Sequence, residues 1–313
     1  MKVNRILGRY TQGKKGALFI CLAGIHGNEL AGIYAFQRVC DYLQQHHPNF
    51  IGELIGIAGN LTAIEGKKRF VKMDLNRQWY DEKLAHIRQT PKRQLIDNED
   101  IQQKELMVLL ERLVSQNEGT PIILLDMHTT SSKSGVPFAI ANNTPYSKEL
   151  ATYLGIPAIV GVEKMVKGTT LNYFSQMDMV AFGFEAGQHK DKRSIDLMEA
   201  AIWMTLLKIN SIARHNLPAD FQDHEEKLVA LGENIPNLVE FTYRHDIVPE
   251  DEFVMLPNFE NFQYIEKGQL LAHDRNGAIY APQSGYMLMP LYQKQGEDGF
   301  FLVTRDEGLV TSE

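Results

Sequence analysis

The stretch Gly24-Ile25-His26-Gly27-Asn28-Glu29 sets a histidine and a carboxylate three residues apart, directly behind the apolar run Ala17 to Ala23. A second apolar run, Pro121 to Asp126, ends in Met127-His128. Two histidines and one glutamate are the protein ligands of a catalytic zinc whose fourth position is left to water. A His-x-x-Glu alone more often marks a structural pair, and it is the second histidine at a strand end that makes position agree with residue type. Between these motifs, the segment Lys67 to Arg77 packs five cations into eleven residues. Lys67, Lys68 and Lys72 read as a solvated face. Beside a metal, Arg69 and Arg77 offer planar forks for a carboxylate and Asn76 adds a neutral donor. Asp74 reads as a structural or capping residue. Glu185, in Gly183-Phe184-Glu185-Ala186-Gly187, follows another short apolar run, and next to a metal it is a candidate general base for a bound water.

Such groups converge only if the chain places them at one rim. Ala17 to Ala23 is continuous, apolar and rich in β-formers, the pattern of a strand buried on both faces. Leu30 to Leu43 follows with apolar residues at helical spacing, and the alternation recurs in Leu54 to Ala58, Ile101 to Val114 and Pro121 to Asp126. The expected fold class is therefore α/β, with a mostly parallel central sheet flanked by helices. Ligands in such sheets bind beyond the carboxyl ends of the strands, so His26, Glu29 and His128 can share one site. Thr169 opens a further helix, Met179 to Phe184 is another strand, and Ser194 to Ala213 is a final helix. After His215, short apolar runs alternate with Gly, Pro and Asn turn signals, and no long amphipathic pattern intervenes. The expected division is a site-bearing α/β domain, residues 1–215, and a β-rich domain, residues 216–313.

The 313 residues, 44% hydrophobic and 23% charged, match a globular composition. A net charge of −7 argues against a nucleic-acid partner. No segment approaches the roughly 20 apolar residues of a membrane span, and the N-terminus lacks the apolar core of a signal peptide. Cys21 and Cys40 read as reduced, buried thiols. The expected location is the cytoplasm.

Taken in order, these motifs resemble the aspartoacylase and succinylglutamate desuccinylase family, within the wider zinc carboxypeptidase superfamily. The resemblance covers most of the chain and rests on Gly24 to Glu29, on Asp74-Leu75-Asn76-Arg77 with Arg69 ahead of it, on Asp126-Met127-His128 and on Gly183-Phe184-Glu185. It implies one zinc ion per chain, held by His26, Glu29 and His128, with Glu185 as base and proton shuttle. It implies that Arg69 polarises the scissile carbonyl and that Asn76 and Arg77 grip the carboxylate of a small anionic N-acyl amino acid, of acetyl or succinyl type. The stretch Gly268 to Pro290 is similar to the small β domain that caps the active site in that family. It also resembles biotinyl and lipoyl carrier domains, but the carrier lysine is missing.

The chain departs from the family's acetylaspartate-specific members in two places. Ser175 stands near the position of a substrate-binding arginine, and no arginine occurs between Arg112 and Arg193. Gly296-Glu297-Asp298-Gly299 is acidic where those members carry a tyrosine. Lys164 or Lys167 could substitute for the arginine only as flexible point charges. Two rival readings stand beside deacylation: a zinc carboxypeptidase trimming short peptides, and a non-catalytic binding protein on the same scaffold. Acyl group, amino acid, pathway and oligomeric state, a homo-oligomer included, stay open.

Overall fold

The computed structural model describes residues 2–132, 136–177 and 179–306. In chain order the strands are β1 (Ile6–Thr11), β2 (Leu18–Ala23), β3 (Glu53–Ala58), β4 (Ile122–Thr130), β5 (Phe138–Ala141), β6 (Ala158–Val160) and β7 (Val180–Gln188). They continue with β8 (Leu238–Asp246), β9 (Val254–Met255), β10 (Tyr264–Ile265), β11 (Leu270–Asp274), β12 (Gly277–Tyr280), β13 (Gly285–Leu288) and β14 (Asp298–Arg305). The helices are α1 (Ala31–His46), α2 (Leu61–Gly66), α3 (Asp81–Gln89), α4 (Asn98–Gln116), α5 (Pro145–Tyr153), α6 (Val162–Met165), α7 (Thr170–Phe174), α8 (Arg193–Lys208) and α9 (Phe221–Gly232).

The described residues form an eleven-stranded sheet of order β1-β3-β2-β4-β7-β5-β6-β8-β14-β13-β10 and a three-stranded sheet, β12-β11-β9. Its centre is parallel: β2 pairs with β3 and β4, and β4 with β7. β5 turns antiparallel against β7, so the whole sheet is mixed. Every residue of β2 is buried, as a parallel strand covered on both faces requires. Its side chains alternate between layers. Phe19, Cys21 and Ala23 pack with Phe36, Val39, Met198 and Trp203 of α1 and α8. Leu18, Ile20 and Leu22 pack with Leu106 and Leu110 of α4. Each large apolar side chain removed from water contributes roughly 1.5–3 kcal/mol. A third cluster, including Met255, Leu271, Met287 and Phe300, sits under the C-terminal strands. Among the described residues no helix is long and apolar enough to cross a membrane.

Two details depart from the sequence pattern. The last helix of the α/β part stops at Lys208, not Ala213. Asn210 adopts φ 56°, Ser211 N–H donates to Leu206 O at 2.9 Å and Asn210 N–H to Leu207 O at 3.0 Å, a Schellman closure that turns the chain out of the helix. Helix α9 lies where no amphipathic pattern was expected. Its buried positions are Phe221, Leu228 and Gly232, and the polar run Gln222 to Lys227 between them hides the apolar stripe.

Candidate metal centre and active site

The loop after β2 is held from two sides. Gly59 N–H donates to Ala23 O at 2.7 Å, and Gly27 N–H donates to Arg69 O at 3.1 Å, which brings the cationic segment alongside the His26–Glu29 turn. A β-carbon on Gly27 would stand 2.0 Å from the Ala63 carbonyl carbon, so only glycine lets the turn lie against α2. Gly32 likewise lets α1 approach β4, since a β-carbon there would lie 2.9 Å from the Met127 β-carbon. Buried Glu99 accepts hydrogen bonds from the backbone N–H groups of Val71 (2.8 Å) and Lys72 (3.2 Å), tying the same segment to α4.

His26, Glu29 and His128 meet at one point, their ligand atoms within 4.8 Å of one another and all three side chains buried. His26 Nδ1 lies 2.8 Å from Glu29 Oε1, and His128 Nδ1 lies 3.1 Å from Glu29 Oε2. Each imidazole turns its other nitrogen to a carboxylate: His26 Nε2 to Asp74 Oδ1 at 3.1 Å, and His128 Nε2 to Asp126 Oδ1 at 3.1 Å. Carboxylates on the far nitrogens fix tautomer and ring orientation, the usual outer support of metal-bound histidines. Thr129 N–H donates to Glu29 Oε2 at 2.9 Å and fixes the carboxylate from behind.

The electrostatics agree with a cation site. Burial alone would raise the Glu29 carboxyl, but the two imidazoles outweigh it and hold the group well below the ordinary range. Burial would lower His128, yet Asp126 and Glu29 raise it well above its usual value. Four carboxyl groups (Glu29, Asp74, Asp126 and Glu185) surround the two imidazoles, and Arg69 is the arginine ion-paired within this cluster. Two imidazole nitrogens, a carboxylate and this excess of negative charge fit a divalent ion such as zinc.

Glu185 follows from strand register. It is the partner of His128 across the parallel β4–β7 ladder, and its Oε2 is buried without a hydrogen-bond partner. Burial, reinforced by Glu29 and opposed by His128, pushes its carboxyl up to about 7. Arg69 donates from Nε and Nη2 to Asp74 Oδ2 (3.0 and 2.8 Å), and its Nη1 lies 3.6 Å from Glu29. Asp74 also caps the turn at Leu75, accepting from Asn76 N–H at 2.9 Å. The Asn76 amide oxygen accepts from Thr170 N–H at 2.8 Å, which leaves its NH2 for a ligand. Arg77 pairs with Asp298 of β14, and Arg244 Nε holds the other oxygen of Asp298 at 2.6 Å. His26, Glu29, Arg69, Asn76, Arg77, His128 and Glu185 all line one cavity of about 120 Å³.

Sequence reasoning missed three members of this site. Asp126 lies two residues before His128 on β4, and the two-residue period of a strand puts both on one face, a signal that was present. Asp298 reaches Arg77 across 221 positions with no local signal. His189, whose Nδ1 lies 2.7 Å from Thr129 Oγ1, also had none. Lys164 is exposed and paired with Glu240 at 2.6 Å, and Lys167 is exposed as well. Neither lines the cavity.

A metal-type donor set thus stands beside a buried carboxyl at the carboxyl ends of parallel strands. The chain belongs to the succinylglutamate desuccinylase/aspartoacylase family, whose catalytic-domain model matches residues 15–207. It is 28% identical over 170 residues to a "Probable aspartoacylase" of Nostoc sp., covering 53% of each chain. It is 24% identical over 136 residues to the N-acyl-aromatic-L-amino acid amidohydrolase (carboxylate-forming) of Xenopus tropicalis, covering 43% of this chain and 41% of that one. The chain thus spans about half the length of the curated relatives it matches. Its fold is similar to a succinylglutamate desuccinylase/aspartoacylase of Rhodobacter sphaeroides (TM-score 0.66, 14% identity, 95% and 87% of the two chains). It is also similar to the ectoine utilization protein EutE of Ruegeria pomeroyi (TM-score 0.64, 16% identity, 95% and 87%).

Proposed function

We propose that the protein is a zinc-dependent deacylase that hydrolyses the amide bond of a small N-acyl amino acid to a carboxylate and a free amino acid. The observation that carries this reading is the meeting of His26, Glu29, His128 and Glu185 in a cavity also lined by Arg69, Asn76 and Arg77. His26, Glu29 and His128 would hold one zinc ion per chain. When bound, zinc supplies a polarised carbonyl and a water whose pKa falls toward about 7. Glu185 accepts a proton from the attacking water and delivers it to the departing nitrogen. Arg69 donates to the developing oxyanion, a contribution whose loss typically costs about 10²- to 10³-fold in rate. Asn76 and Arg77 hold the carboxylate of the amino acid.

The β-rich C-terminal part acts as a cap in this reading, and its Met289, Leu291, Gln293 and Asp298 line the cavity together with the metal-type ligands. A cavity of about 120 Å³ suits a small molecule better than an extended peptide, which favours deacylation over carboxypeptidase action. The test is zinc-loaded enzyme against N-acetyl and N-succinyl amino acids and a blocked tetrapeptide. Hydrolysis of an N-acyl amino acid at one zinc per chain is the expected result. Cleavage of the tetrapeptide with no N-acyl amino acid hydrolysed overturns the proposal.

A further inference from the structure

We propose that the substrate carries one carboxylate and one apolar group, and that Ile140, Val162, Val166, Leu171, Phe241 and Phe301 form the subsite for that group. The inference rests on the deacylase reading and deepens it. These six side chains come from β5, α6 and the residue after it, α7, β8 and β14, and they line the same cavity as the metal-type cluster. Phe241 and Phe301 meet edge to face with ring centroids 5.2 Å apart, a rigid apolar wall. Ile140 is the register partner of Gly183 on β7, two residues before Glu185, so the wall begins next to the reacting centre.

The described cationic side chains at the cavity are already engaged. Among the described residues that line the cavity, the arginine and lysine side chains are Arg69 and Arg77, and Asp74 and Asp298 already engage them. Arg77 lines the cavity and gives hydrogen bonds to Asn76 O and Asp298 from Nη1 and Nη2, each of which carries a second N–H, so it can still take one carboxylate, that of the amino acid. The Ser175 hydroxyl, near the place of the absent arginine, donates to Leu171 O at 2.6 Å and accepts from Asn142 Nδ2 at 2.7 Å. A second carboxylate would face an apolar wall and the negative charge of Asp298. Burying an unpaired charge is expensive, whereas an apolar group gains from the same burial.

The apolar group could be the amino acid's side chain or the acyl chain, and the panel separates the two. kcat/KM of the zinc-loaded enzyme is compared for N-acetyl-L-phenylalanine, N-acetyl-L-leucine, N-hexanoylglycine, N-acetyl-L-aspartate and N-succinyl-L-glutamate. At least one of the first three should exceed both N-acetyl-L-aspartate and N-succinyl-L-glutamate by about ten-fold or more. Calorimetric binding to the zinc-loaded Glu185→Gln variant should give the same order without turnover. Preference for a side-chain compound assigns the subsite to the amino acid, and preference for N-hexanoylglycine assigns it to the acyl group. Hydrolysis of N-acetyl-L-aspartate or N-succinyl-L-glutamate at an equal or higher rate removes the subsite while deacylation stands. Failure to bind or hydrolyse any of the five, with cleavage of a blocked tetrapeptide, removes both. Ile140→Arg should lower kcat/KM for the best apolar substrate by about ten-fold or more and raise that for N-acetyl-L-aspartate. If it does not fold, the near-isosteric Val162→Thr should raise KM for the apolar substrate a few-fold with zinc content intact, and an unchanged KM counts against the subsite.

Discussion

His128 and Glu185 are register partners on the adjacent parallel strands β4 and β7, so imidazole and carboxyl leave the same face of the sheet side by side. A strand ladder, rather than a loop, sets the spacing between His128 and Glu185. Sites built on such elements hold their geometry tightly.

Glu185→Gln keeps shape and removes the base. We expect kcat to fall about 10²- to 10⁴-fold while zinc binds at one equivalent per chain, read by steady-state kinetics and metal analysis. Near-normal turnover in the variant eliminates Glu185 as the base.

The pH dependence follows from the same group. Its carboxyl stands at about 7 in the metal-free site, raised by burial, and it serves as a base only when ionised. A bound cation favours the ionised form, so kcat/KM of the loaded enzyme should rise with pH along a limb centred below 7. A limb at or above 7 contradicts this. Stability of the metal-free protein moves the other way. The folded value exceeds the unfolded value near 4.5, so ionisation of Glu185 destabilises the fold, a cost that is absent below about 4.5 and fully present above about 7. Denaturant midpoints should therefore show Glu185→Gln more stable than wild type at pH 8 and equal to it at pH 4.

Removing the metal tests the donor set. A chelator should abolish activity and added zinc restore it. Zinc should also raise the stability of the wild-type chain, by about 2.7 kcal/mol at a free concentration one hundred times Kd. His26→Ala should lose that stabilisation in a thermal melt. A variant that takes up zinc at wild-type affinity rules out His26 as a ligand.

Arg77→Ala should mainly raise KM for the N-acyl amino acid, with a smaller effect on kcat. It should also cost about 1–3 kcal/mol of stability, because Asp298 loses one of its two arginine partners. An unchanged KM with a large fall in kcat would move Arg77 into the chemistry.

Gly27→Ala touches no ligand atom, yet its new methyl group would collide with the Ala63 carbonyl. The turn must shift, and zinc affinity should fall about ten-fold or more while the far-ultraviolet circular dichroism is unchanged. Wild-type affinity would show that the turn adapts without moving His26 or Glu29.

Much of this site was legible in the residue order. His26, Glu29, His128 and Glu185 each follow an apolar run, and a parallel sheet brings the ends of such runs to one rim. What stayed hidden depends on pairings that local sequence does not encode. Asp74 reads as a cap and is one, but nothing nearby shows that its other oxygen accepts from Arg69 and that the first meets His26. Asp298 lies in a short acidic stretch that the β8–β14 ladder sets near Arg244, and its other partner, Arg77, comes from a turn 221 positions away. Helix α9 was concealed because its polar residues separate Phe221 from Leu228 by nearly two turns.

The single ladder that runs from β1 to β10 also limits how the site can open. β8 is hydrogen-bonded to β6 on one side and to β14 on the other, so the C-terminal strands cannot swing away like the half of a clamshell without breaking backbone pairing. The segment between β13 and β14 lies outside that pairing: its Gln293 meets Asn28 and His189 through side chains, and Leu291 N–H donates to Gly299 O at 2.9 Å.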